Sequence, residues 1–308
     1  MAGATDATHL LTPATDEGRL GVGGAEVAWE RWARPGAPPV VLVHGTSAHR
    51  AWWHHAVSAL TDRYDVVALD LSGHGDSGRR DRYSMAGWAE DVLGVVAAVC
   101  GEPAFVVGHS IGGLVAAGAA VRAPEAVAGL VLADSIVVPP PRPAPSALRP
   151  RPVRTFPSLA AAVERFRLEP PQPVGDRTVF DYVAARSLRT VPGGWAWKVD
   201  PAIWDVVSTP DGLLDDLPGV RCPAVVVRGE LSSLVGPDAA AVLARLWGRQ
   251  VRQYTVPGAH HHLMIDARAS FGSCLRAALR DLSEAGTQPR RAAVGAQGHD
   301  PASLGTAH

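Results

Sequence analysis

The residue whose setting most strongly suggests chemistry is Ser110, within Val106-Val107-Gly108-His109-Ser110-Ile111-Gly112-Gly113. An apolar run, Phe105 to Val107, leads into a Gly-x-Ser-x-Gly turn, and a helical Ala/Gly-rich segment, Gly112 to Arg122, follows at once. A serine at a sharp strand-to-helix turn takes strained backbone angles, and glycines two positions to either side leave room for the neighbouring chain. The turn pushes the hydroxyl out at the end of the strand and aims a helix N-terminus at it. The free N–H of Ile111 and the helix dipole can then stabilise an oxyanion. The bland alternative is a tight glycine turn. A histidine decides between them, because a serine hydroxyl is inert without a base.

Histidines are in place downstream. After the last apolar strand comes Val256-Pro257-Gly258-Ala259, then His260, His261 and His262, ahead of the final helix. Loops at the carboxyl ends of parallel strands are where open α/β sheets bind ligands. Adjacent loop residues point in different directions, so one of the three is expected to face Ser110. Three sequence neighbours do not converge on a tetrahedral ion, and no Cys-x-x-Cys or His-Glu-x-x-His spacing accompanies them. No metal and no organic cofactor is expected.

The elements that must position these groups are legible in the rest of the chain. Its 308 residues are 47% hydrophobic and 19% charged, a globular composition. With 29 Lys+Arg against 30 Asp+Glu the net charge is −1, too little to hold a polyanion, so no nucleic-acid partner is expected. No apolar run is long enough to span a bilayer and the first residues lack a signal-peptide pattern, so the expectation is a cytoplasmic protein acting on a small molecule, with no membrane partner. Cys100, Cys222 and Cys274 read as small buried thiols. Composition sets no oligomeric state.

Short apolar runs bounded by Gly and Pro alternate with helical segments, the signature of a mostly parallel sheet. The runs are Val40–Val43, Val66–Leu69, Phe105–Val107, Leu130–Ala133, Ala224–Val227 and Val251–Val256, with an antiparallel strand at Val27–Trp32 before them. The clearest helices are Met85–Val99, Gly112–Arg122, Pro237–Trp247 and Ala267–Leu282. Residues 1–17 and 286–308 read as disordered ends, and 18–134 with 220–285 as the core. Residues 135–219 hold no buried strand over roughly 85 positions and read as a mostly helical insertion. The insertion opens on a proline-rich linker, Pro139 to Pro152, and carries Trp195, Trp197 and Trp204. Those indoles form either its own small core or the wall of an apolar pocket.

These stretches together resemble the α/β-hydrolase fold superfamily, in its group of bacterial serine esterases, perhydrolases and C–C hydrolases. The matching motifs are VVLVHGTS (Val40–Ser47), DLSGHGDSG (Asp70–Gly78), GHSIGG (Gly108–Gly113) and VPGAHHHLMID (Val256–Asp266). The resemblance implies a mostly parallel eight-stranded sheet with helices on both faces and a helical cap at residues 135–219. It implies Ser110 as nucleophile and the N–H groups of Thr46 and Ile111 as oxyanion hole. The family's Pro-Gly-Ala-Gly-His loop, laid on Pro257 to His261, implies His261 as base. His44 and His74 resemble positions that brace the site. The usual acid follows the strand after the cap, but the corresponding positions here are Ser232 and Ser233. A second family position lies at the end of the strand before the cap, and Asp134 stands there, 24 residues after Ser110. Asp134 is the implied acid, with Glu230 as its rival. Trp53, His109, Trp195 and Trp197 are the candidates to line the substrate pocket.

The expected activity is hydrolysis of a small to medium carboxylic ester or related acyl compound. A cofactor-free C–C hydrolase, lyase or perhydrolase would use the same three residues. A non-catalytic ligand-binding protein of this fold is the remaining alternative.

Overall fold

A computed structural model of the chain describes residues 11–135, 154–207 and 215–286. The proline-rich linker and residues 1–10 and 287–308 lie outside them. The chain begins with a hairpin, β1 (Asp16–Val22) and β2 (Ala25–Trp32), turned at Gly23 and Gly24, which both have positive φ. Next come β3 (Pro39–Val43), β4 (Asp65–Leu69), β5 (Ala104–His109) and β6 (Val127–Ala133), then a small hairpin, β7 (Leu188–Val191) and β8 (Gly194–Trp197), and finally β9 (Ala224–Gly229) and β10 (Arg252–Val256). Eight of these form one sheet in the order β1-β2-β4-β3-β5-β6-β9-β10. The six from β4 to β10 run parallel, and β2 joins β4 antiparallel.

Every residue of β3, β4 and β5 is buried, as the continuous apolar runs require when helices cover both faces. Side chains alternate across the sheet. Val41, Val67 and Val106 pack on one face with α2 (Met85–Val95), α3 (Ile111–Arg122) and α7 (Ala239–Trp247). Val40, Leu42, Val66 and Val107 pack on the other with α1 (His54–Val57), α5 (Arg177–Arg186) and α9 (Arg268–Gly286). No helix among the described residues is long and apolar enough to cross a membrane.

One expectation about the chain's outline is corrected, and one gains a detail. Residues 11–17 are ordered: Thr12 carbonyl accepts the Trp32 Nε1–H at 2.7 Å, Thr15 N–H bonds the Arg31 carbonyl, and β1 begins at Asp16. The segment between β6 and β9 is not purely helical. Besides α4 (Leu159–Val163), α5 and α6 (Trp204–Val207) it contains the β7–β8 hairpin, turned at Gly193-Gly194 and extended by paired backbone bonds between Phe156 and Trp195.

Trp53 is also corrected. It is fully buried and its ring stacks on Phe271 of α9 at 6.1 Å, in the core between sheet and helix, with no surface left to line a pocket. Its neighbour Trp52 turns the other way, to Phe166 and His262. Trp53→Ala is expected to lower the unfolding free energy by about 3–5 kcal/mol in a denaturant titration. A loss under about 1 kcal/mol would put the indole outside the core.

Candidate active site

β5 ends where α3 begins, and Ser110 bridges them with φ 55° and ψ −125°. That conformation costs about 1–3 kcal/mol for a residue other than glycine and persists only where packing enforces it. The packing is visible around it. A Cβ on Gly108 would stand 2.2 Å from the Gly112 carbonyl oxygen, and one on Gly112 would stand 2.5 Å from that of His44. Both positions therefore admit only glycine, and the turn seats directly on the exit of β3. The loop after β3 abuts the serine, since a Cβ on Gly45 would come within 3.1 Å of the Ser110 Cβ. Thr46 is the next residue of that loop and Ile111 the next of the turn. The Ile111 N–H is the first of α3 and has no partner within the helix.

The histidine loop leaves β10 and returns past the same edge. His261 accepts the Ser110 hydroxyl at Nε2, 3.1 Å away, and its Nδ1–H donates to Asp134 Oδ2 at 2.7 Å. Asp134 ends β6 with φ 45° and has no solvent exposure. Its carboxylate accepts two further hydrogen bonds, from the Gly229 N–H at 2.8 Å and the Ser232 hydroxyl at 2.6 Å. Ser232 Oγ in turn accepts the N–H of Val235 at 3.1 Å, which leaves its proton for Asp134. Glu230 faces elsewhere and accepts the Gly258 N–H at 2.8 Å. The non-glycine residues with left-handed φ among those described are Ser47, Ser110 and Asp134, all of them at this site.

Four more histidines surround this hydrogen-bonded series, and a fifth turns away from it. His44 donates from Nδ1 to the Gly45 carbonyl and accepts the Leu71 N–H at Nε2, so it holds the loop after β3 as a neutral ring. Burial pushes it down to about 4. His74 packs beside it, also depressed by burial, to about 3. His109 donates from Nε2 to the His261 carbonyl at 2.9 Å, and burial takes it to about 3. It therefore steadies the histidine loop from below. His262 lies edge-on to His261, and burial holds it well below the usual range. His260 points away to Asp266, whose carboxylate accepts its backbone N–H at 2.7 Å.

A serine, an imidazole and a buried carboxylate in hydrogen-bonded series can move a proton off the hydroxyl and hold the resulting positive charge. The family model that matches this chain, over residues 40–271, is described as the alpha/beta hydrolase family. The chain belongs to the α/β-hydrolase family. An esterase of Mycobacterium tuberculosis is 30% identical over 236 residues, 70% of this chain and 73% of that one. The 2-(acetamidomethylene)succinate hydrolase of Mesorhizobium japonicum is 24% identical over 284 residues, 93% of its length. The pimeloyl-[acyl-carrier protein] methyl ester esterase of Methylococcus capsulatus is 45% identical, but the match spans only 36% of that enzyme. Among solved structures, the Mycobacterium tuberculosis esterase superposes with a TM-score of 0.72 at 25% identity, covering 90% of this chain and 96% of that one.

Within the family fold, the remaining pocket candidates divide. Trp197 contacts Phe156 and Phe166, and Phe166 leads through Trp52 to His262, an aromatic series running from the β7–β8 hairpin to the histidine loop. Trp195 is half-buried in that hairpin and, among the described residues, shows no ring contact with the Ser110 group. His109 touches the loop rather than an open cavity. From sequence, one of the adjacent Trp52 and Trp53 reads as packing and the other as a pocket wall, and the structure puts Trp52, not Trp53, toward the histidine loop. Phe166 and Ser232 were missed as members of this neighbourhood, and the serine pair in place of the family's usual aspartate was the one signal pointing to Ser232.

The buried histidines make stability depend on pH. His44, His74 and His109 titrate near 4, 3 and 3 when folded and near 6.5 when unfolded. Between those values the unfolded chain binds protons that the folded chain excludes, so stability is complete above about pH 6.5 and falls as the pH drops below it. From pH 7.5 to 5.5 the loss is on the order of 1 kcal/mol for each such ring. Thermal melting across that range should show a steady fall in Tm, and a flat profile would mean these rings are solvated.

Proposed function

We propose that this chain is a serine hydrolase that cleaves a small to medium carboxylic ester, or a related acyl compound, through an acyl-enzyme on Ser110. The Ser110 Oγ attacks the substrate carbonyl carbon while its proton passes to His261 Nε2. Asp134 accepts the Nδ1–H throughout, fixing the tautomer and balancing the imidazolium. The N–H groups of Thr46 and Ile111 hold the oxyanion. His261 then gives the proton to the departing alkoxide as the ester C–O bond breaks. A water, deprotonated by the same nitrogen, attacks the acyl-enzyme and releases the acid and Ser110. This scheme uses no metal and no organic cofactor.

The observation that carries the reading is the unbroken series Ser110 Oγ to His261 Nε2 at 3.1 Å and His261 Nδ1 to Asp134 Oδ2 at 2.7 Å. Family membership and the esterase relatives support the same chemistry. The aromatic series from Trp197 to Trp52 supports an apolar acyl or alcohol group, and among the described residues no Lys or Arg side chain hydrogen-bonds Ser110.

A fluorophosphonate probe should label the wild-type protein and not Ser110→Ala, and a series of p-nitrophenyl esters should be hydrolysed with a chain-length optimum. His261→Ala should lower kcat by roughly 10⁴ or more, and His260→Ala far less. Labelling without turnover of any ester would move the substrate to a C–C bond or another acyl class on the same serine. No labelling and no turnover would contradict the reading.

The acid is tested separately. Asp134→Asn should fold and lose roughly 10²–10⁴ in kcat, whereas Glu230→Gln should cost under about tenfold. Because Ser232 touches the same oxygen as His261, Ser232→Asp is expected to restore part of the rate lost in Asp134→Asn by placing a new carboxylate beside His261 Nδ1. Equal losses from Glu230→Gln and Asp134→Asn would reverse the assignment.

A further inference from the structure

The histidines that converge are not the three that adjoin in sequence. One ring nitrogen from each of His109, His261 and His262 lies within 4.8 Å of the other two, and all three rings are buried. His109 comes from the strand that carries Ser110, while His261 and His262 come from the loop after β10. The hydrogen bonds fix where each ring keeps a bare lone pair. His109 donates from Nε2 to the His261 carbonyl, so its Nδ1 is unprotonated, and that atom is buried with no partner. His261 donates from Nδ1 to Asp134, so its Nε2 is bare and faces Ser110. Both nitrogens of His262 are buried without a partner, with the Glu169 and Pro170 carbonyls near but short of hydrogen-bond geometry. Buried polar atoms left unpaired cost about 1–3 kcal/mol each, and an arrangement that keeps several together calls for a reason.

We propose that His109, His261 and His262 form a site for a borderline-soft divalent cation such as Zn²⁺, Cu²⁺ or Ni²⁺, and that the bound ion reversibly inhibits the enzyme. Three neutral imidazoles suit these ions, whereas Mg²⁺ and Ca²⁺ require oxygen ligands. Two of the ligands already have the outer partners that metal-binding histidines use, Asp134 behind His261 and the His261 carbonyl behind His109. Tetrahedral Zn²⁺ with bonds of about 2.0–2.1 Å sets ligand nitrogens about 3.4 Å apart, so the rings close inward by roughly 1 Å on binding. A water or the Ser110 hydroxyl supplies the fourth position. The ion competes for the His261 Nε2 lone pair that the serine needs, so it blocks proton transfer instead of assisting it.

The effect on turnover rests on the serine-hydrolase reading, but binding is read independently. Calorimetric titration of the full-length protein with ZnCl₂ should show one saturable site, with MgCl₂ giving no heat of binding. His109→Ala and His262→Ala should each weaken Zn²⁺ at least about tenfold, and His262→Leu, which keeps most of the ring's volume, should do the same in a protein whose melting curve stays cooperative. His260→Ala, whose ring pairs with Asp266, should leave the affinity within about twofold. Zn²⁺ should also slow fluorophosphonate labelling of wild-type Ser110, with the slowing relieved in His262→Leu relative to that variant's own metal-free rate. An absence of saturable binding, or an affinity that His109→Ala and His262→Leu both leave unchanged, would overturn the site. Binding without any serine labelling would instead count against the hydrolase reading and leave the site standing.

Discussion

A carboxylate with no access to water, Asp134, is the group around which the rest of this structure is arranged. Burying an ionised carboxyl costs several kcal/mol unless donors replace its water. Here three do so: the Gly229 N–H, the Ser232 hydroxyl and the His261 Nδ1–H. Two come from the end of β9 and the turn after it and one from the loop after β10, so satisfying Asp134 fixes the end of β6, the turn after β9 and the loop after β10 relative to one another. The Asp134 N–H bonds the Val227 carbonyl at 2.7 Å, which ties the same residue into the β6–β9 pairing. Sheet register and site geometry are thus one constraint.

The other half of the site obeys a steric rule. Gly108 and Gly112 let the turn at Ser110, the start of α3 and the exit of β3 approach closer than any side chain would allow, and Gly45 sits tight against Ser110. The left-handed angles at Ser47, Ser110 and Asp134 store strain where the reacting groups stand, and the fully buried strands around them hold that strain in place. The surrounding imidazoles stay neutral because burial outweighs their hydrogen bonds. Neutral rings brace the loops without adding positive charge that would compete with His261 for Asp134.

What the sequence revealed follows the range of the interactions involved. The turn at Ser110 and the loop through His261 are local patterns, and their flanking strands are apolar enough to be read directly. Asp134 could be reached only through a family precedent, because its role depends on β6 and β9 pairing across some ninety residues. The β7–β8 hairpin escaped notice since Leu188–Val191 and Gly194–Trp197 are four residues each, too short for a period of two to register. The strand at Asp16–Val22 carries glycines and charges suited to a sheet edge, so it did not register as a strand and its first two residues fell within the terminus read as disordered. Trp52 and Trp53 adjoin in a short helical turn, and sequence alone does not say which one faces the core. The meeting of His109 with His261 and His262 spans more than 150 positions and left no local trace.

The account stands on the hydrogen bond from His261 to Asp134, and proton NMR reads it most directly. An imidazole N–H held by a buried carboxylate resonates far downfield of the amide region and exchanges slowly. Beside the resonance of the His54 Nε2–H, which Glu30 accepts at 2.6 Å, the wild-type protein is predicted to show one further such resonance that disappears in both His261→Ala and Asp134→Asn and persists in Glu230→Gln. A downfield resonance that survives Asp134→Asn and vanishes in Glu230→Gln would contradict it.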